Sequence, residues 1–165
     1  MVRLLTVNDL DEFIRVRLQG LKLNPEAFGA SYEDGLDREL AKKQLEEKDE
    51  ENFILGCFDG SKLVGMIVFM RKQRRKLKHK GSIFGMFVDR DYRGKGLGKL
   101  LLRKCIEKAS LIEGLEFIHL SVTDFAKEAQ QLYTQMGFKI WGRESPSLKV
   151  GDQYFDEIFM YLKLD

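Results

Sequence analysis

Near the middle of the chain stands Met86-Phe87-Val88-Asp89-Arg90-Asp91-Tyr92-Arg93-Gly94-Lys95-Gly96-Leu97-Gly98-Lys99-Leu100-Leu101, where an apolar run meets three closely spaced glycines and then a helical pattern. A strand that enters a glycine-rich turn and opens a helix makes an anion site, because the first helical N–H groups have no intrahelical acceptor and the helix dipole is positive there. Two familiar phosphate loops fail on spacing. A P-loop needs a glycine five residues before Gly98 and Ser or Thr after Lys99, but those positions hold Arg93 and Leu100. The dinucleotide fingerprint needs G-x-x-G after its first pair, whereas here the glycines run G-x-G-x-G. What remains is R-x-x-G-x-G, formed by Arg93, Gly96 and Gly98.

Outward from this loop the elements fall into order. Downstream, Leu97, Leu101, Cys105, Ala109 and Ile112 share one helical face, with Gly114 as its C-cap. Phe117 to Val122 then reads as a strand, and Asp124 as the cap of a helix carrying Ala126, Ala129, Leu132, Tyr133 and Met136, which Gly137 ends. Phe138 to Trp141 and Tyr154 to Leu164 close the chain as strands. Upstream, Ser82 to Val88 is preceded by Phe53 to Phe58 and Leu63 to Met70, two apolar runs joined by Asp59-Gly60-Ser61 in the manner of a hairpin. Before these lie a short strand over Met1 to Thr6, a helix that Asp9 and Glu12 cap and Asn24-Pro25 ends, and a weaker amphipathic helix within Asp34 to Glu51. The expected architecture is α+β, with a mixed and mostly antiparallel sheet of about seven strands and four helices.

Composition narrows the function. The chain of 165 residues is 44% hydrophobic and 33% charged with only 2 prolines, which excludes a disordered chain and fits one domain spanning residues 1–165. Its longest apolar run, Leu63 to Met70, is far short of the ~20 residues that cross a bilayer, so no membrane partner is expected. With no signal-peptide pattern at the N-terminus, the chain reads as cytoplasmic. Cys57 and Cys105 lack metal-ligand spacing and read as buried thiols, and no metal is expected. The 28 basic residues barely exceed the 26 acidic ones, and seven of the basic ones fall between Arg71 and Lys80; outside that segment acidic residues outnumber basic ones. That is not a generally basic nucleic-acid binder. The segment reads as a solvated hairpin that blocks edge aggregation, the other reading being a patch that docks RNA, the ribosome or an acidic protein.

The loop resembles the pyrophosphate-binding signature [QR]-x-x-G-x-[GA] of the GNAT superfamily of acyl-CoA-dependent N-acetyltransferases. A second landmark follows at the right separation, since Val122, Ala129, Leu132-Tyr133 and Gly137-Phe138 are similar to that family's fifth strand and fourth helix. Pro25-Glu26-Ala27-Phe28 and Ser31-Tyr32-Glu33 also resemble its loop between the first two helices, so the likeness covers nearly the whole chain.

The resemblance implies an acyltransferase that moves an acetyl group from acetyl-CoA to a primary amine by direct attack. It also implies that backbone N–H groups across Gly94, Lys95, Gly96, Leu97, Gly98 and Lys99 hold the CoA pyrophosphate, with charge added by Arg93 and Lys99. Met86 and Val88 would pair with the pantetheine amides as an added strand, and an N–H near Phe87 or Val88 would stabilise the oxyanion. Tyr133 would be the general acid for the departing thiolate, because a phenol near pKa 10 is protonated at pH 7.

Three positions depart from the family. Ala126 stands where an Asn often contacts pantetheine, leaving that contact absent or replaced by Thr123 or Asp124. Ser82 and Ser121 stand where a glutamate base is common. An amine near pKa 10.4 is neutral in only about one molecule in 2,500 at pH 7, so a proton route is needed. Glu33, His79, Asp156 and Glu157 are candidates, with Glu33 first because its loop borders the acceptor site in the family. The departures also leave open a non-catalytic acyl-CoA-binding module. The acceptor, a small-molecule amine or a protein or peptide amine, is set by the loops Asn24 to Asp37 and Glu144 to Tyr154, and the alternation of Phe155, Phe159 and Tyr161 could support a homodimer.

Overall fold

The computed structural model describes residues 1–165. Its elements are β1 (Val2–Leu4), α1 (Leu10–Leu23), α2 (Arg38–Glu46), β2 (Asn52–Asp59), β3 (Lys62–Arg71), β4 (Lys80–Val88), α3 (Leu97–Ala109), β5 (Phe117–Thr123), α4 (Lys127–Gln135), β6 (Lys139–Val150) and β7 (Gln153–Lys163). The seven strands form one sheet in the order β1-β2-β3-β4-β5-β7-β6, antiparallel except where β4 meets β5. This is the expected α+β architecture with its mixed, mostly antiparallel sheet and four helices.

β2 and β3 are buried at every position from Phe53 to Phe58 and from Leu63 to Phe69, which explains their unbroken apolar runs. One face packs under α1 and α2 around Phe13, Val16, Ala41 and Leu45, and the other under α3 and α4 around Leu101, Leu102, Cys105 and Tyr133. Phe13 is wholly buried, a burial worth roughly 1.5–3 kcal/mol. Cys57 and Cys105 are buried free thiols, and burial pushes the Cys105 thiol well up.

Several element ends differ from the sequence reading, each for a local reason. The cap at the start of α1 shifts by one turn: Thr6 and Asp9 form the capping box of a 3-10 turn, Val7–Asp9, and Asp9 also receives the Arg3 guanidinium at 2.7 Å. Glu12 instead takes the Leu63 N–H at 2.7 Å and pairs with Arg15, joining α1 to β3. α2 is shorter than Asp34 to Glu51 because the Asp37 carboxylate accepts from the Glu39 and Leu40 N–H groups and sets its start. Asp124 does not cap α4; its carboxylate reaches Arg143 and the Asp156 N–H, and Ala126 occupies the cap. The stretch from Glu144 to Tyr154 is mostly a long hairpin of β6 with β7 rather than a loop, because pairing with β7 carries the polar residues on an exposed face.

Between β3 and β4 the basic segment makes a 3-10 turn, Arg75–Leu77. Arg71 is withdrawn from it, donating to the carbonyls of Lys78 at 2.6 Å and Glu113 at 2.9 Å and pairing with Glu51.

Two features of β4 shape the site. Met66 pairs with Phe87 but Val68 with Phe84, so β4 carries one extra residue, a bulge at Gly85, whose φ of 60° is left-handed. In addition, β4 pairs with β5 only from Lys80 to Ser82. Beyond Ser82 the two strands part, and the sheet opens into a cleft.

Candidate active site

At the far end of β4 the chain turns into the glycine loop. The buried Asp89 carboxylate accepts from the Asp91 N–H at 3.2 Å and caps the 3-10 turn Arg90–Tyr92. Burial opposes its charge, but this bond and those from Gln19 and Lys62 hold it below the ordinary range. Arg93 is a brace: Nε donates to the Val88 carbonyl at 3.0 Å and Nη2 to Asn24 Oδ1 at 2.8 Å, tying the loop to the end of α1. Gly96, at φ 77°, caps α3, and the first helical bond runs from the Leu100 N–H to the Gly96 carbonyl at 3.0 Å. The N–H groups of Leu97, Gly98 and Lys99 are therefore free of intrahelical partners. A Cβ on Gly94 or Gly96 would meet nothing within 4 Å, so the cradle is open on the side where an anion would sit. Lys99 lines this cavity; Lys95 instead lays its ammonium over the Tyr92 ring at 4.7 Å.

The cavity at the loop has a volume of about 680 Å³ and runs along Met86, Phe87 and Val88 to the start of α4. Asp89 donates its N–H to Val64 in β3, so strand alternation turns the Val88 N–H to the open edge facing the cleft. Of Phe87 and Val88, the latter thus offers the donor. A second cavity of about 330 Å³ lies in the cleft itself, between Ile83 to Met86 of β4 and Leu120 to Thr123 of β5. The two cavities share Met86, Ala126 and Tyr133 among their walls.

Tyr133 stands at this junction. Its ring packs edge-on against Phe138 at 5.8 Å and its hydroxyl points to Met86 Sδ at 3.5 Å. Burial pushes the phenol up to about 12, keeping it a proton donor at neutral pH.

Of the four carboxylate and imidazole candidates only Glu157 lines the second cavity. Its oxygens accept from Ser121 Oγ at 2.9 Å and Ser147 Oγ at 2.6 Å. Ser121, standing where a carboxylate is common, thus holds one supplied by the neighbouring strand. Glu33, ranked first from the sequence, lies exposed in the loop before α2 and lines neither cavity. Asp156 is spent on Arg143 and Ser145 Oγ, and His79 packs on Phe117 at the other end of β4. Near Ala126, Asp124 is equally engaged, whereas Thr123 Oγ1 is buried without a partner at the cavity wall. Of the two residues expected to replace the Asn contact, Thr123 alone keeps an unpartnered hydroxyl in the cavity wall. Sequence reading overlooked Arg17, which lines the second cavity from α1. The available signal was a cation four residues after Phe13 and four before Leu21, inside the apolar stripe of the helix.

Comparison with known proteins agrees with this fold. The acetyltransferase (GNAT) family matches residues 19–138. An uncharacterized N-acetyltransferase of Methanocaldococcus jannaschii is 27% identical over 84% of this chain, which spans 60% of that relative's length. A GNAT-family acetyltransferase of Streptococcus pneumoniae superposes with a TM-score of 0.90 at 24% identity, covering 99% of both chains. An acetyltransferase of Salmonella typhimurium, solved with its cofactor acetyl-CoA, superposes with a TM-score of 0.88 at 17% identity over 100% of this chain and 94% of that one.

Proposed function

The chain belongs to the GNAT acetyltransferase family, and on that premise we propose that it transfers an acetyl group from acetyl-CoA to a primary amine by direct attack. The observation that carries this reading is the meeting of an anion-cradling cavity and a carboxylate-bearing cavity at one protonated tyrosine.

In this reading the free N–H groups of Leu97, Gly98 and Lys99 and the open backbone at Gly94 and Gly96 hold the donor's diphosphate. The Lys99 ammonium adds charge, while Arg93 acts through the backbone it braces. The parted edge of β4 at Met86 and Val88 takes the pantetheine amides as an added strand, with Thr123 Oγ1 in place of the side-chain amide absent at Ala126. Glu157 accepts, directly or through water, the first proton of the acceptor ammonium. The freed lone pair forms the C–N bond at the thioester carbonyl, and the Val88 N–H stabilises the oxygen that gains charge. As the C–S bond breaks, its electron pair stays on sulfur, which takes a proton from Tyr133; the second amine proton returns the tyrosine to its phenol form through solvent.

The test is thiol release with acetyl-CoA and a panel of primary amines. Tyr133→Phe keeps the ring and its packing, so kcat is expected to fall on the order of 10²-fold or more with acetyl-CoA affinity unchanged. Glu157→Gln should lower kcat/KM, and Glu33→Gln should leave it unchanged. Binding of acetyl-CoA without turnover of any amine would reduce the chain to an acyl-CoA-binding module.

A further inference from the structure

Arg17 is the one arginine whose surroundings and bonding do not match. Two residues earlier on α1, Arg15 spends its guanidinium on Glu12, Gln19 and the Leu63 carbonyl. Arg17 is half-buried in the wall of the second cavity and makes no hydrogen bond or salt bridge within the chain. Burial alone lowers its pKa, with no paired carboxylate to offset the loss of water. Room for its fork comes from the bulge, since a Cβ on Gly85 would stand 3.5 Å from Arg17 Nη1. A guanidinium withdrawn from water with its donors unspent calls for an anion, and its planar fork matches a carboxylate.

The chain does not supply that anion. Glu157 is the only carboxylate lining the cavity, and it is held by Ser121 and Ser147 rather than by Arg17. One small chamber of about 330 Å³ therefore holds an unpaired cation on α1 and a separate anion on β7, with Phe28, Phe84 and Leu120 as apolar walls. Resting on the acetyl-transfer reading above, we propose that the acceptor is a small amino carboxylate with an apolar side chain, its carboxylate on Arg17 and its amine toward Glu157. Polyamines and aminoglycosides bring further cations against Arg17, and a polypeptide N-terminus carries an amide where this carboxylate stands.

The experiment is calorimetric titration of the standard L-amino acids into the full chain saturated with CoA, followed by the amide and the decarboxylated amine of the tightest binder. The amino acid is expected to bind at least tenfold more tightly than its amide or amine. Arg17→Met should abolish that preference while leaving the weak binding of the amide and the thermal shift given by acetyl-CoA as they were. Arg17→Lys should retain part of it, since a point charge remains without the fork. No amino acid binding above its amide, or an unchanged preference in Arg17→Met, overturns the proposal. Thiol release with the same compounds separates the two readings. Arg17-dependent binding without acetylation sinks acetyl transfer and leaves this site standing, whereas acetylation of amines that lack a carboxylate in preference to amino acids sinks this proposal alone.

Discussion

Tyr133, the acid of the proposed transfer, also carries a pH signature. Its phenol is displaced from 10.0 to about 12 because ionisation inside the fold is opposed by burial. The profile of kcat/KM against pH is accordingly expected to show no descending limb from loss of the acid below about pH 11. Stability follows the same displacement. The fold holds the proton that the unfolded chain releases above 10.0, so this contribution is complete below that pH and is lost as pH climbs toward about 12. Tyr133→Phe should flatten the alkaline fall in Tm, and an identical alkaline limb in both proteins would contradict the assignment. Residues of the glycine loop were readable because a helix start imposes its chemistry locally, through spacing. Glu157 and Arg17 were harder. One reaches the cleft through the register of β7 against β5 and the other through the packing of α1 over β4, and neither register nor packing is written in neighbouring residues.

At the scale of elements, the junction of loop and α3 makes two glycines unequal. Gly96 sits at φ 77° as helix cap, so Gly96→Ala should cost about 1–2 kcal/mol and weaken acetyl-CoA binding. Gly98 lies within the helix, where an added Cβ would touch Met86 Cε at 3.4 Å and Leu132 Cδ2 at 3.6 Å, ordinary contacts. Gly98→Ala should leave the unfolding free energy within about 0.5 kcal/mol of the parent. Chemical denaturation of the two variants separates these outcomes. The strands and helices themselves were legible because apolar periodicity follows burial. Their ends were less so: Asp34 and Asp37 are both good caps by residue type, and only the folded backbone gives Asp37 two N–H groups to receive. β6 was underread because an exposed edge hairpin needs no apolar alternation once β7 supplies its partner groups.

The whole molecule should report its donor through stability. Acetyl-CoA or CoA at 100 times Kd stabilises by about 2.7 kcal/mol, a Tm rise of about 5 to 11 °C at this size. ATP and NAD should give less; an equal or larger shift with ATP would return the loop to a general phosphate site. The basic turn lies at the opposite end of β4 from the loop, with Arg74, Arg75 and Lys76 exposed and without salt-bridge partners. Replacing these three by serine should leave kcat/KM unchanged, and a loss of turnover would tie the turn to the acceptor.

The parting of β4 and β5 also has a mechanical meaning. Three residue pairs, Lys80 to Ser82 with Phe117 to His119, are the only ladder joining β1 through β4 to β5, β6 and β7. The sheet is thus joined there by a short ladder over a shared core, and a ligand laid along Met86 and Val88 would act as a missing rung. Deuterium uptake at the Val88 amide should be fast in the free protein and slow once CoA is bound, while the amides of β2 and β3 stay protected throughout. A donor bound there would complete, from outside the chain, the pairing that β4 and β5 leave open.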